Sequence, residues 1–298
     1  MPRPGLIVNA DDLGIHPDIN AGILSAHRNG ILTSCTMLMT TAYWQQTVRD
    51  FVRPAALPIG IHLSLTLGQA VAKAGDVPDL IDEEGNLKLS ASQLLLASYR
   101  GAAGEPMLRQ FGREFTAQLG RALDCGLRPT HADTHQHIHM NPAIFSVLQD
   151  ILPQFGVSRL RFCRERFWPI IFGADFLPIT KRFNLAKWAL IRWRSNQIIS
   201  RIATNDELFG ILYSGVVSKA ALLAVIGSIE PDRLVEICIH PGFPAPTGTQ
   251  YYKRPGYNQF ICSIARKHEH DILVDEEVRE AVRRRGLRLR AYDDTIKH

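Results

Sequence analysis

Leu6-Ile7-Val8-Asn9-Ala10-Asp11-Asp12 is an apolar run that ends abruptly in polar residues. An unbroken aliphatic stretch of this length reads as a strand buried on both faces, the kind found in parallel sheets. Comparable strand-like runs occupy residues 35–39, 59–63, 129–133, 158–162, 210–213, 234–239 and 287–292. Helical spacing fills residues 18–29, 107–125, 141–155, 219–229 and 275–285 between them. The alternation predicts βαβ units and an α/β fold, a single (β/α) barrel that is distorted or incompletely closed. Gly/Pro clusters at 68–78 and 241–256 read as loops, because strand-like segments resume after each. Residues 1–298 are therefore expected to form one domain, with a basic and aromatic segment inserted near 166–200.

The polar residues fall where such a fold builds chemistry. Asn9-Ala10-Asp11-Asp12, Gly60-Ile61-His62, the stretch from His131 to His139, and His240-Pro241-Gly242 all stand at the C-terminal ends of strand-like runs. In a parallel barrel those ends share one face. One carboxylate with two imidazoles, His62 and His135, can hold a divalent ion, Mg²⁺ or Zn²⁺, and leave positions open. One of the adjacent Asp11 and Asp12 can bind the cation while the other stays free as a base. Strand alternation would put His131, Asp133, His135, His137 and His139 on one face, with His135 a ligand and Asp133 orienting an imidazole. His16, His27, His268 and His270 lack such a context and are expected in solvent. The sequence has no H-E-x-x-H, no G-x-S-x-G and no P-loop, which speaks against zincins, serine hydrolases and NTP-dependent enzymes.

Composition narrows the class further. The chain has 298 residues, 46% hydrophobic and 21% charged, which excludes disordered and collagenous classes. No apolar run is long enough to span a bilayer and no signal-peptide core precedes the first strand, so a cytoplasmic protein is expected. Five scattered cysteines without C-x-x-C spacing read as reduced thiols. The net charge of +5 is uneven: residues 159–201 hold ten Lys/Arg against two acids, a local +8 that leaves −3 elsewhere. No nucleic-acid-binding motif accompanies that charge, so nucleic acid is not an expected partner.

These residues resemble the YdjC-like carbohydrate deacetylase family. The resemblance is carried by Val8-Asn9-Ala10-Asp11-Asp12-Leu13-Gly14, Asn20 with Gly22-Ile23, the stretch from Asn29 to Ser34, Gly60-Ile61-His62-Leu63-Ser64-Leu65-Thr66, the stretch from Thr130 to His139, and Glu236 with His240-Pro241-Gly242. Leu13 replaces the family's usual Phe. The resemblance implies a β/α barrel and metal-dependent N-deacetylation of an acetamido sugar. Carried over, it makes Asp12, His62 and His135 the metal ligands, Asp11 the base and His240 the acid; Asp133, His131, His137 and His139, taken from the strand-end pattern rather than the resemblance, are expected as supporting or substrate-binding groups. The segment around Trp168, Phe172, Trp188 and Trp193 looks like the hopanoid-associated branch, which implies an N-acetylglucosaminyl lipid substrate and peripheral contact with the inner face of the membrane. A buried helix pair or a homodimer interface would have the same composition. A chitooligosaccharide deacetylase and a metal phosphoesterase are the competing enzymatic readings. A membrane-binding protein with a degenerate site is the non-catalytic one.

Overall fold

The computed structural model describes residues 5–55, 57–98, 104–167, 182–230 and 232–293. Six strands, β1 (Gly5–Leu13), β2 (Ser34–Met37), β3 (Ile59–Leu63), β4 (Ala132–Thr134), β5 (Glu207–Phe209) and β6 (Leu234–Ile239), make one parallel sheet in the order β4-β3-β2-β1-β6-β5. All nine residues of β1 are buried, as its aliphatic run requires of a central strand.

In a flat six-stranded sheet the edge strands would lie about 24 Å apart. Here both edges bond one extended segment, residues 159–164. The amide of Ala132 in β4 donates to Arg159 O and Arg161 N donates to Ala132 O, while Leu208 N in β5 donates to Arg164 O. Six residues span only about 17–20 Å, so the sheet curls into a half-barrel whose edges approach each other. The described regular sheet thus has six strands rather than the eight of a full (β/α)₈ barrel. The expected strands at 158–162 and 287–292 appear as isolated bridges, Ala132 to Leu160 and Leu6 to Leu289. The strand expected at 210–213 is found three residues earlier, at β5, and ends before Gly210, which adopts φ 129 and turns the chain.

The described α-helices of seven residues or more are α1 (Pro17–Asn29), α2 (Ala91–Ser98), α3 (Glu105–Asp124), α4 (Pro142–Ile151), α5 (Arg182–Ser195), α6 (Lys219–Ser228), α7 (Pro255–Ile261), α8 (Ala265–Leu273) and α9 (Glu276–Arg284). Their starts follow capping chemistry. Asn141 Oδ1 accepts from Ala143 N, Ser218 Oγ from Ala221 N and Asp275 Oδ1 from Glu277 N. Helix α3 buries Phe111, Phe115, Leu119 and Ala122 along one stripe. Beside it, buried Gln118 bonds both Ser64 N and Ser64 O, and Glu114 accepts from Val71 N and Ala72 N. These bonds pin the loop that follows β3. No helix among the described residues is long and apolar enough to cross a membrane.

The turn after β6 rests directly on α1. A Cβ on Gly22 would lie 2.5 Å from Gly242 Cα, so only glycine lets the stretch from His240 to Gly242 settle there. Gly22→Ala should therefore lower unfolding free energy by about 1–2 kcal/mol, because the clash exceeds the gain in helix propensity. Gly120→Ala on α3, where a Cβ meets nothing within 4 Å, should raise it by about 0.5–1 kcal/mol. Urea midpoints at constant slope check the pair, and a gain at both positions would show that the loop is not packed as described.

Candidate active site

A cavity of about 620 Å³ opens at the C-terminal strand ends. Asp11 and Asp12 from the end of β1, His62 from β3, His135 and His137 after β4, and His240 after β6 all face it. Consecutive strand residues normally point to opposite faces. Both aspartates reach the cavity because Asp12 takes a left-handed φ of 68 and the β1–β2 register shifts between Ala10 and Leu13. Gly14, at φ 94, completes the turn.

The imidazoles are held by their outer nitrogens. His62 Nδ1 donates to Asp133 Oδ1 at 2.6 Å, which turns its Nε2 toward Asp12 Oδ1, 3.6 Å away. His135 Nδ1 is bonded to Thr66 Oγ1 at 2.8 Å, leaving its Nε2 for the cavity. Thr66 is presented by the loop that α3 pins. Asp12 Oδ2 takes a bond from Arg266 at 2.9 Å, whereas Asp12 Oδ1 is buried without a hydrogen-bond partner. An orphaned carboxylate oxygen beside two oriented imidazoles fits a divalent cation. The described donor atoms that lie within 4.8 Å of one another form two different groupings, Asp11 with Cys238 and His240, and Asp11 with His62 and Asp133; the Asp12, His62 and His135 set is not among them. Both draw on Asp11, whose two oxygens are already bonded by Arg161, so the Asp12, His62 and His135 set is the better fit.

Arg161 is fully buried and serves three carboxylates at once. Its guanidinium reaches Asp11 at 2.7 and 2.8 Å, Asp133 at 2.6 Å and Glu236 at 2.6 Å. Burial opposes ionisation of Asp11, but Arg161 together with His62 and His240 outweighs it and holds that carboxyl well below the usual range. Burial likewise resists charge on Asp12, and Arg266 with His240, His62 and His135 brings it down to about 2. His62 would be depressed by burial alone, yet Asp133, Asp11 and Asp12 raise it to about 9. The acidic cluster thus calls for positive charge here, which a proton or a divalent cation supplies. Burial pushes His135 down to about 3, so it is neutral, the form that ligates metals. His240 Nδ1 lies 4.0 Å from Glu269 Oε2, and its backbone N donates to the same oxygen at 2.7 Å.

The expected alternation from His131 to His139 fails. β4 ends at Thr134, and the chain then makes a 3₁₀ turn, His135–Met140, with Gln136 and His137 at φ 60 and 56. The turn brings His135 and His137 to the cavity and takes His139 away from it. His139 packs inside, bonded to Thr134 Oγ1 and Arg161 O. His131 is also remote from the cavity: its ring fills the space over Gly60 and stacks on Tyr292 at 3.8 Å. Tyr292 in turn bonds Glu236. Asp133 sits behind His62, as expected. His16 and His270 are buried rather than solvated; His16 caps α1 and His270 meets Ser25 Oγ.

The basic segment is largely internal or ion-paired. Arg161 belongs to the carboxylate cluster, Arg166 pairs with Glu207 at 2.7 Å, and Arg201 with Asp150 at 2.6 Å. Lys187 lines the cavity. Trp188 turns inward, donating to Glu165 O and packing on Phe167, while Trp193 is 58% exposed. Trp168 and Phe172 lie outside the described residues. Sequence reasoning gave no role to Arg161 and Lys187 beyond local charge, to Thr66, which stood in a family motif without a function, or to Arg266, Tyr257 and Phe260, which no motif covers. It left Cys238 as an inert thiol, although its Sγ donates to Asp11 Oδ2 at 3.2 Å.

Proteins from bacteria and mammals are similar to this chain in sequence. It is 29% identical to a carbohydrate deacetylase of Brevibacillus brevis over 89% of this chain and 94% of that protein. A human carbohydrate deacetylase is 30% identical over 98% of this chain and 91% of its own length. A chitooligosaccharide deacetylase of Escherichia fergusonii is 28% identical over 97% of this chain and 98% of its own. A crystal structure from Enterococcus faecalis V583, of a protein provisionally described as cleaving cellobiose-phosphate, superposes with a TM-score of 0.71 at 26% identity, covering 99% of this chain and all of the other. The family pattern described as YdjC-like protein matches residues 5–284, a span that takes in every strand reaching the cavity, and the chain belongs to that family.

Proposed function

We propose that this chain is a metal-dependent hydrolase that removes the N-acetyl group from an acetamido sugar, on a single domain running from residue 1 to 298. The observation that carries the reading is the orphaned Asp12 oxygen beside His62 and His135, with Asp11 and His240 facing the same cavity. The names of the deacetylase relatives support the substrate class.

Asp12, His62 and His135 would hold one divalent ion, Mg²⁺ or Zn²⁺. When bound, such an ion supplies Lewis acidity, making water more acidic and polarising an amide carbonyl. Asp11, kept ionised by Arg161, accepts the proton of the attacking water. His240 delivers a proton to the departing amine, from the ring nitrogen turned away from Glu269. Tyr257 and Phe260 supply apolar wall against which a pyranose ring can lie.

A glycolipid substrate is the finer reading. Helix α5 places Lys187 in the cavity wall and leaves Leu185, Leu190 and Trp193 exposed, with Ile199 beyond it 85% exposed. Exposed apolar side chains on the helix that carries a cavity residue suit a lipid tail or a membrane surface.

His62→Ala and His135→Ala should each lose bound metal and acetate release together, since two ligands hold such an ion poorly. Elemental analysis of the purified variants checks this, and normal metal content in both would remove these residues from the ligand set. Asp11→Asn should keep the metal and lower kcat by about 10² or more, the range for a lost general base; a loss of only a few-fold would reassign the proton acceptor. Trp193→Ser should slow deacetylation of an acetamido-sugar lipid but not of its tail-free headgroup. Equal rates on both substrates in the wild-type protein would sink the lipid reading.

A further inference from the structure

Behind His240 stands Glu269, on α8 and only 1% exposed. Its two oxygens accept from backbone amides: Oε2 from His240 N at 2.7 Å and Oε1 from Val217 N at 3.4 Å. A glutamine could accept from an amide equally well, so these bonds alone do not account for a carboxylate. Burying a negative charge is costly unless a positive group faces it. Arg266, three residues earlier on the same helix, is engaged elsewhere. It donates to Asp12 Oδ2 and Phe260 O, and its guanidinium lies over the Phe260 ring at 4.0 Å. Among the described residues, the side chain capable of positive charge within ion-pair reach of Glu269 is His240, whose Nδ1 is 4.0 Å from Oε2.

That Nδ1 is buried without a hydrogen-bond partner. The Phe260 ring meets the imidazole edge-on at 5.4 Å, and Gly242 N donates to Arg266 O at 3.1 Å. Helices α7 and α8 thus brace both the ring and the loop that carries it. Burial raises the Glu269 carboxyl, and the largest influence against that rise is charge on His240. We propose that Glu269 is the positioning residue of the acid, holding the His240 ring with Nδ1 toward the protein and Nε2 toward the leaving nitrogen, and favouring the charged ring before transfer. The assignment rests on the deacetylase reading given above, in which His240 protonates the departing amine. In that step the oxygen anion of the tetrahedral intermediate reforms the carbonyl and the C–N bond breaks. Its electron pair stays on nitrogen and takes the proton from Nε2, so acetic acid and a free amine leave and the ring becomes neutral. The proton that Asp11 took from water, passed to the ring directly or through solvent, returns both groups to their starting state.

The test measures acetate release from the β-1,4-linked dimer of N-acetylglucosamine by the full chain. Glu269→Gln keeps a side-chain acceptor and removes the charge. It should lower kcat at least fivefold, with KM within twofold of wild type and bound metal unchanged. A role confined to holding the backbone predicts no such loss, and a smaller one would overturn the assignment. The loss should also run through His240: adding Glu269→Gln to His240→Ala should lower the residual kcat by less than twofold, and a larger further drop would overturn it as well. If Glu269→Gln does not fold, Glu269→Asp enters the same cycle. A loss that vanishes beside His240→Ala then supports the assignment, and one that persists overturns it. A wild-type chain that releases no acetate would overturn the deacetylase reading together with the assignment, whereas an active chain indifferent to Glu269→Gln would overturn the assignment alone.

Discussion

One buried guanidinium, that of Arg161, ties the site to the fold. It enters from the extended segment that joins the two sheet edges and grips carboxylates from β1, β4 and β6. A charge without access to water must be compensated on the spot, and depriving such a group of its partner costs about 3–5 kcal/mol. Asp11, Asp133 and Glu236 are thus held in one place by the same bond set that brings their strands together. Stability and the electrostatics of the cavity therefore share one device. Asp133 passes the constraint on by orienting His62, and the Arg161 carbonyl does the same for His139.

The parts of this arrangement that the sequence disclosed were those with a local signature. β1, β3 and β6 announce themselves as aliphatic runs, and Asp11, Asp12, His62 and His240 stand at or just past the ends of those runs, whereas His135 was flagged by the dense histidine tract around it. The stretch from His131 to His139 misled because period-two reasoning presumes an extended chain, and only three residues there are strand. Nothing in the side chains of Gln136 and His137 signals a left-handed turn. Arg161 was legible as a charge but not as a buried one, since its three partners lie 150, 28 and 75 positions away along the chain. Composition counts charges without knowing which face inward. Helices α7 and α8 fall almost wholly beyond the Gly/Pro loop at 241–256, in a stretch to which sequence patterning assigned no element.

Backbone strain gathers where the chemistry is. The described non-glycine residues with positive φ are Asp12, Gln136 and His137, and all three line the cavity. A left-handed conformation disfavours L-residues and persists only when surrounding bonds overdetermine it. Around Asp12 those bonds come from Arg266 and from the Ile15 amide that donates to Asp12 O; around the β4 turn they come from the Thr134 hydroxyl, which accepts from His139 N. Smaller or more regular turns would place one aspartate, or one histidine, on the wrong side of the sheet.

The central position of β1 also bears on how the chain assembles. β1 pairs on one side with β2, a neighbour in sequence, and on the other with β6, more than 220 residues later. A nascent chain can pair β1 with β2 and β3 early, but the other edge of β1 stays open until the ribosome has released residues near 239. Long-range parallel pairing of this kind slows folding and lengthens the time for which an aliphatic strand edge is available to other chains. The protein's susceptibility to aggregation during synthesis should therefore be governed by the delay before Leu234–Ile239 arrives, a kinetic property set by strand order rather than by the stability of the finished fold.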